Sequence, residues 1–156
     1  MNIFVLDLDV KKCAEYHNDK HVVKMVLEVS QLLCGVHHVT ESKYEIPYKL
    51  SHKNHPSAIW ARECMENYIW LCDLGLELCK EYTYRYEKRH KSQDVIEWCL
   101  THKPKLKYNG DITPFALAMP DECKVGTAID SYRAYYMVEK RSLASWKNRQ
   151  TPEWYL

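Results

Sequence analysis

The stretch DVKKCAEYHNDKHVVKMVLEVSQLLCGV, residues 9–36, decides the fold class. At 100° per residue its apolar side chains fall on one broad arc, which is the pattern of an amphipathic helix. The arc is formed by Ala14, Val22, Met25, Val26, Val29, Leu32 and Leu33. Leu27 widens it, and a helix that is apolar around so much of its girth is mostly buried. We therefore predict one long core helix that begins after the N-cap Asp9 and ends near Val36.

The rest of the chain also favours helices. Glycine (4) and proline (6) are scarce among the 156 residues, so few positions interrupt a helix. Further helical patterns cover about Pro56–Tyr86, Ser92–Leu100 and Ala128–Lys147, and the last of them allows a break near Ser142. Residues 2–6 (NIFVL) are short and apolar, with no second strong strand to pair with. The predicted fold class is all-α: one domain, residues 1–156, of four to five helices with a short extended N-terminal segment.

Charge and cysteine usage narrow the class of protein. The net charge is +1, so no global field attracts the chain to nucleic acid, and any anion site is a local patch. Seven cysteines without a CxxC pair predict free thiols buried as small hydrophobes, which suits a cytoplasmic protein. The N-terminus has no basic region before its apolar run, and no window holds 18 apolar residues. We expect neither a signal peptide nor a membrane partner.

The first candidate site lies on the long helix. On a helical wheel His17, His21, Lys24 and Glu28 share an arc of about 60°. Two histidines one turn apart can act as acid and base on one substrate, or ligate a metal ion together with a carboxylate. Lys24 argues against a metal, because an ammonium group repels a cation. The alternative is an ordinary solvent-facing stripe, although such stripes usually carry lysine and glutamate rather than paired histidines.

Three further clusters suit anionic ligands. Asn54 and His55 precede Pro56 at a predicted helix start, where free N–H groups favour phosphate, and Trp60 and Arg62 follow. Two other clusters interleave aromatic and basic residues, which suits stacking on a base while pairing with its phosphate. The first contains Tyr82, Tyr84, Arg85, Tyr86, Lys88, Arg89, His90 and Lys91. The second contains Tyr132, Arg133, Tyr135, Tyr136, Lys140, Arg141, Trp146, Lys147 and Arg149. Helix caps and solvated helix ends explain the same residues without a ligand.

Several segments resemble a family of small proteins of tailed phages and large DNA viruses. They are HNDKHVVKMVLEVSQLL (17–33), NHPSAIWARE (54–63), NYIWL (67–71), EYTYRYEKRHKS (81–92), TPFALAMPDE (113–122) and SWKNRQTPEW (145–154). The resemblance covers nearly the whole chain. It implies a viral origin and work in the cytoplasm of an infected host cell, and it supplies no mechanism and no catalytic residues.

These patterns predict a small enzyme that acts on a nucleotide, a nucleic acid or a modified base by histidine acid–base chemistry. The predicted catalytic residues are His17, His21 and Glu28, with Glu28 orienting an imidazole. The predicted substrate-binding residues are Lys24, Asn54, His55, Trp60, Arg62, Tyr82, Arg85 and His90. No metal ligand is assigned, and cofactor and oligomeric state stay open. One alternative is a non-catalytic protein that sequesters a host nucleotide signal. Another is a metal-dependent hydrolase that uses His17, His21 and a distant histidine.

Overall fold

Six α-helices account for the regular structure, and no strand is present. The computed structural model describes all residues 1–156. The helices are α1 (Val10–Tyr16), α2 (Asp19–Val39), α3 (Pro56–Ala61), α4 (Met65–Tyr86), α5 (Gln93–Thr101) and α6 (Ala128–Val138), with single 3-10 turns at Asp121–Cys123 and Arg141–Leu143. The all-α prediction is confirmed, and more than half of the residues are helical. The predicted count of four to five helices is too low, because two predicted helices are each divided.

The long helix predicted from Asp9 to Val36 is two helices, which corrects the first expectation. His17 adopts an extended backbone (ψ 135°) and ends α1, and Asn18 then caps α2 by accepting a hydrogen bond from His21 N. The turn is held from outside, because the His17 carbonyl accepts a bond of 2.8 Å from Arg85 Nη1. The helical wheel that placed His17 on the arc of His21 and Glu28 therefore does not apply.

The second divided helix separates α3 from α4. The helix that begins at Pro56 ends at Ala61, and the next begins at Met65. Asn67 holds the junction, since its Nδ2 donates to Trp60 O at 2.8 Å and its Oδ1 accepts from Thr113 N. Side-chain bonds of this kind compete with the helical ladder, which apolar periodicity does not register.

The last helix starts as predicted and ends early. Thr127 and Asp130 form the predicted capping box at its start. The helix stops at Val138 instead of Lys147, and the 3-10 turn Arg141–Leu143 lies where a break near Ser142 was expected.

The core is built around α2. It packs on α3, α4 and α5, while α1 packs on α4, and the apolar N-terminal segment Ile3–Leu6 is buried in the same core. All seven cysteines are free and buried, as predicted. By length and composition α2 would be able to cross a membrane, but 67% of its most apolar window is buried inside the protein. Such burial is the pattern of a core helix.

Candidate functional site

The N-terminal segment delivers a charged group to the side of α2. Asn2 anchors the segment, because its Nδ2 donates to Ala118 O at 2.8 Å and its Oδ1 accepts from Tyr132 Oη at 3.3 Å. Ser57 Oγ, at the start of α3, is 3.5 Å from the same oxygen. These contacts fix the direction of the preceding residue, and they place the amine of Met1 3.2 Å from Glu28 Oε1.

Glu28 is a buried carboxylate with one occupied oxygen and one free oxygen. Its side chain is 8% exposed. Oε1 pairs with the Met1 amine and accepts from Asn2 N at 3.0 Å. Oε2 has no hydrogen-bond partner and lies 3.8 Å from Lys24 Nζ. A buried polar atom without a partner is uncommon in folded proteins, so this oxygen is available to a ligand.

A small polar cavity of about 130 Å³ opens beside the carboxylate. Its wall is formed by Met1, Asn2, Phe4, His21, Lys24, Met25, Glu28, Tyr135 and Lys140. Lys140 Nζ lies 4.9 Å from the centre of the Tyr135 ring, and Lys24 is largely exposed. The residues of the cavity thus bring together a carboxylate, two lysines and an aromatic side chain, and the two lysines suit an anionic ligand.

His21 faces this cavity as a neutral group. Burial lowers the pKa of His21 to about 3, with help from the charges of His17, Lys140 and Lys24. The imidazole stacks on Phe4 at 4.3 Å between ring centres, and its Nδ1 lies 2.7 Å from Tyr136 Oη. At neutral pH the side chain therefore offers hydrogen bonds and a flat face rather than a proton that exchanges readily.

His17 is separated from the cavity. Its Nδ1 donates to Cys13 O at 2.6 Å, and burial lowers the pKa of His17 to about 4. It does not line the cavity, and its ring centre is 6.4 Å from that of His21. The two histidines are therefore not a matched acid and base on one face.

The predicted cluster at the start of α3 does not form one site, because only His55 lies near the cavity and the other members have structural or surface positions. His55 caps α3 through Ser57 N, and its pKa is lowered by burial and then by the positive charge of the Met1 amine, which places it near the site. Asn54 is exposed beside it. Trp60 is buried and donates to Thr113 O. Arg62 donates to Lys53 O on the surface.

In the aromatic and basic cluster of residues 82–91, three of the predicted ligand-binding side chains already bind other parts of the protein. The Arg85 side chain is fully buried and binds Glu81 Oε2 at 2.8 Å and Asp19 Oδ1 at 3.1 Å. Tyr82 packs edge-on against His90, whose Nε2 donates to Val23 O. The guanidinium of Arg85 is buried and already donates to protein groups, so it is not free to hold a phosphate group as predicted.

Two members of the aromatic and basic cluster of residues 132–149 belong to the cavity. The sequence pattern grouped them with each other and not with Glu28. Tyr135 and Lys140 line the cavity with Glu28. The Met1 amine was missed altogether, because nothing in the residue pattern indicates which buried carboxylate a chain terminus meets. Tyr136 supports His21 from behind, a contact across 115 positions that only the fold creates.

Comparisons with known protein families, with curated proteins and with solved structures find no match. The structure also contains no group of three or more His, Cys, Asp and Glu side chains placed to hold a metal ion. The metal-dependent hydrolase therefore gains no support from the arrangement of donors. The function has to be argued from the cavity itself.

Proposed function

We propose that this chain is an enzyme that acts on a nucleotide, a nucleic acid or a modified base, and that its active site is the cavity beside Glu28. One observation carries the proposal: Glu28 is buried, and one of its oxygens accepts no hydrogen bond from the protein. A desolvated carboxylate held by a fixed amine is suited to proton transfer, since it is already positioned when the substrate arrives.

The lysines of the cavity supply the recognition of an anion. Lys24 and Lys140 approach from α2 and from the residues after α6, so they can contact a phosphate group from two sides. Tyr135 provides an aromatic surface of the kind on which a base stacks. This assignment keeps the anion contact predicted for Lys24, and it replaces those predicted for Arg62 and Arg85 with Lys140.

The acid–base role passes from the histidine pair to Glu28. Because burial lowers the pKa of His21 to about 3, its imidazole is neutral across the physiological range. We assign His21 the role of a hydrogen-bonding and packing group at the cavity wall. The resemblance to phage and viral proteins leads us to propose further that the reaction takes place in the cytoplasm of an infected cell.

The test compares wild type with Glu28→Gln on nucleotide extracts and on oligonucleotides that carry modified bases, with products followed by mass spectrometry. Glutamine can still accept from Asn2 N, so we expect the fold and the binding to remain, with Kd changed by less than about tenfold, or about 1.4 kcal/mol. Turnover should fall roughly 10²–10⁴-fold, as for the loss of an acid–base group.

Glu63→Gln is the matched control, because Glu63 is exposed and has no ion pair. It should leave turnover unchanged. Equal turnover in wild type and Glu28→Gln would contradict the proposal. Recovery of an unchanged, tightly held ligand from both proteins would favour the sequestering protein instead.

A further inference from the structure

The C-terminal end of α2 brings a serine and a histidine into direct contact. Glu41 has a left-handed backbone (φ 54°), and Ser42 N then donates to His37 O at 2.9 Å, which closes the last turn of the helix. This reversal carries Ser42 back over the preceding turn and places its Oγ 2.7 Å from His37 Nδ1. His37 is buried and Ser42 is partly exposed, so the serine is the member of the pair that a ligand can reach.

The hydrogen bonds of Tyr68 fix which nitrogen of His37 carries the proton. The Tyr68 hydroxyl has one hydrogen, and it donates that hydrogen to Cys99 O at 2.7 Å. In the contact of 3.0 Å between Tyr68 Oη and His37 Nε2, the imidazole is therefore the donor. With the proton on Nε2, the Nδ1 lone pair accepts from Ser42 Oγ. Burial lowers the pKa of His37 to about 4, so the ring keeps this neutral form at neutral pH.

The hydrogen bond from serine to imidazole prepares the hydroxyl for nucleophilic attack. In serine hydrolases the histidine takes the serine proton as Oγ attacks a carbonyl carbon, and a third group orients the ring. Tyr68 has that orienting role here, since its oxygen accepts from Nε2. The backbone N–H of Lys43, the next residue after Ser42, donates to no backbone oxygen of the protein. It is available to the carbonyl oxygen that becomes negative during the attack.

Ser42 lines a pocket whose size and charge suit a small anion. The pocket has a volume of about 340 Å³, which lies within the roughly 300–1,000 Å³ typical of sites that enclose a small ligand. Tyr44 is the aromatic residue of the lining, and it packs edge-on against His102. One acid, Glu41, lines the pocket together with three lysines, Lys43, Lys103 and Lys105. This excess of positive charge favours a ligand that carries a negative charge.

We propose that Ser42 is the nucleophile of a hydrolytic site that cleaves small carboxylic esters carrying a negative charge. His37 is the general base of this site, the three lysines bind the charged end of the ester, and Tyr68 is a positioning residue that acts through His37. The inference goes beyond the proposed function and does not rest on it, because this pocket and the cavity beside Glu28 share no lining residue.

The reaction balances with water as the only co-reactant. Ser42 Oγ forms a bond to the carbonyl carbon while its proton passes to His37 Nδ1. The bond between that carbon and the alcohol oxygen then breaks, and His37 returns the proton to the leaving oxygen. Water attacks the acyl-serine by the same route, with its proton passing through His37 to Ser42 Oγ. One ester and one water give one acid and one alcohol.

A fluorophosphonate probe tests whether the serine is activated. Serine displaces fluoride from such a probe when a neighbouring base takes the hydroxyl proton. We expect a 1:1 adduct on the native chain, with the labelled peptide mapping to Ser42 by mass spectrometry. Protein unfolded in urea should give no adduct, because the contact between Ser42 and His37 is lost.

Two matched esters test the substrate class. The acetate ester of para-phenolsulfonate carries a fixed negative charge, whereas the acetate ester of para-(methylsulfonyl)phenol is of similar size and uncharged. Release of the phenol is followed by absorbance, and we expect kcat/KM to be about tenfold higher for the charged ester. Replacing Lys103 and Lys105 together by glutamine should remove this difference by raising KM. Lys91→Gln, at an exposed lysine outside the pocket, should leave it unchanged.

Substitutions at the serine, the base and the positioning residue separate their roles. Ser42→Ala should abolish both labelling and turnover, and Ser51→Ala is the matched control, because Ser51 contacts the exposed ring of His52. His37→Asn should lower kcat roughly 10²–10⁴-fold. Tyr68→Phe should lower kcat and leave KM within about twofold, because the lysines are untouched. Circular dichroism checks folding, and the peptide mapping on the unaltered chain decides if a core variant fails to fold.

Labelling at a residue other than Ser42, or hydrolysis of neither ester, would overturn the inference. Binding of the charged ester without release of its phenol would also overturn it and would identify the pocket as an anion-binding site only. Equal kcat/KM for the two esters would reject the assigned substrate class. Glu28→Gln should leave every one of these measurements unchanged, so a failure here is distinct from a failure of the proposed function.

Discussion

At the scale of single residues, environment separates groups that look alike in the sequence. His17, His21 and Glu28 were grouped as one polar stripe, yet all three are buried and each has a different neighbourhood. His17 bonds a carbonyl, His21 stacks on Phe4, and Glu28 meets the Met1 amine. Burial favours the neutral form of an imidazole, so both histidines differ from an exposed histidine in the same way although their partners differ.

The histidines predict a stability that depends on pH. Burial lowers the pKa of His17 to about 4 and of His21 to about 3, both below the ordinary value of 6.5. Between about pH 6.5 and 4 the unfolded chain binds protons on these rings and the folded chain does not. The contribution of these rings to the free energy of unfolding should therefore be complete above about pH 6.5. It should decline as the pH falls, by up to about 1.4 kcal/mol per pH unit for each group.

Urea unfolding from pH 7 to pH 4 measures this decline. His17→Gln and His21→Gln should each make the slope shallower, because glutamine has no proton to gain. His52→Asn is the control, since His52 is exposed, and it should leave the slope as in wild type. Identical slopes in all four proteins would show that the two buried rings are not the cause.

At the scale of elements, close approach between helices depends on one glycine. A methyl group added at Gly75 of α4 would lie 2.8 Å from Val29 Cγ1 of α2 and 2.9 Å from Ile96 Cδ1 of α5. Both neighbours are branched core side chains in a densely packed interior, where rearrangement is costly. Gly75 therefore sets the distance at which α4 meets α2 and α5.

Gly75→Ala should reduce the free energy of unfolding by about 1–3 kcal/mol through overpacking. Gly35→Ala is the matched substitution inside α2, where the nearest atom to the new methyl group is Leu50 Cδ1 at 3.7 Å. With space available, alanine should stabilise the helix by about 0.5–1 kcal/mol. Urea unfolding of both variants checks the pair, and equal losses would contradict the role assigned to Gly75.

At the scale of the whole molecule, a buried ionic network joins distant parts of the chain. Arg85 of α4 binds the His17 and Glu15 carbonyls and the carboxylates of Asp19 and Glu81. Arg149, near the C-terminus, adds two bonds to Glu81, at 2.9 and 3.0 Å. The network therefore holds the α1–α2 junction, the C-terminal end of α4 and the C-terminal segment together.

Arg85→Ala should destabilise the fold by about 3–5 kcal/mol, because it breaks the ion pairs of a fully buried guanidinium with Glu81 and Asp19 and removes the donor to the Glu15 and His17 carbonyls. Arg89→Ala removes an arginine of the same segment that pairs with Asp94 and Glu97 at the surface, and it should cost no more than about 1 kcal/mol. Thermal and urea unfolding measure both. A loss of ligand binding without a loss of stability in Arg85→Ala would restore the phosphate contact predicted from sequence.

Some of the site was accessible to sequence reasoning. Lys24 and Glu28 are one turn apart, and His21 is one turn before them, so local helical geometry correctly placed the three together on α2. Asn18 marked a helix start that the apolar period concealed, because a capping side chain stops the ladder without changing the period. The break at Asn67 was beyond reach, since its cause is a bond to Thr113 in a distant loop.

The sequence by itself determined the helical class, the apolar face of α2, the buried thiols and the capping box of α6, because each follows from residues within a few turns of one another. Only the tertiary structure decided where the N-terminal segment lies and which charged groups pair with one another. The pairing of Met1 with Glu28 and the approach of Lys140 to the cavity depend on how separate elements dock. Local periodicity encodes which face of a helix is buried, but it carries no information about which distant group will meet that face.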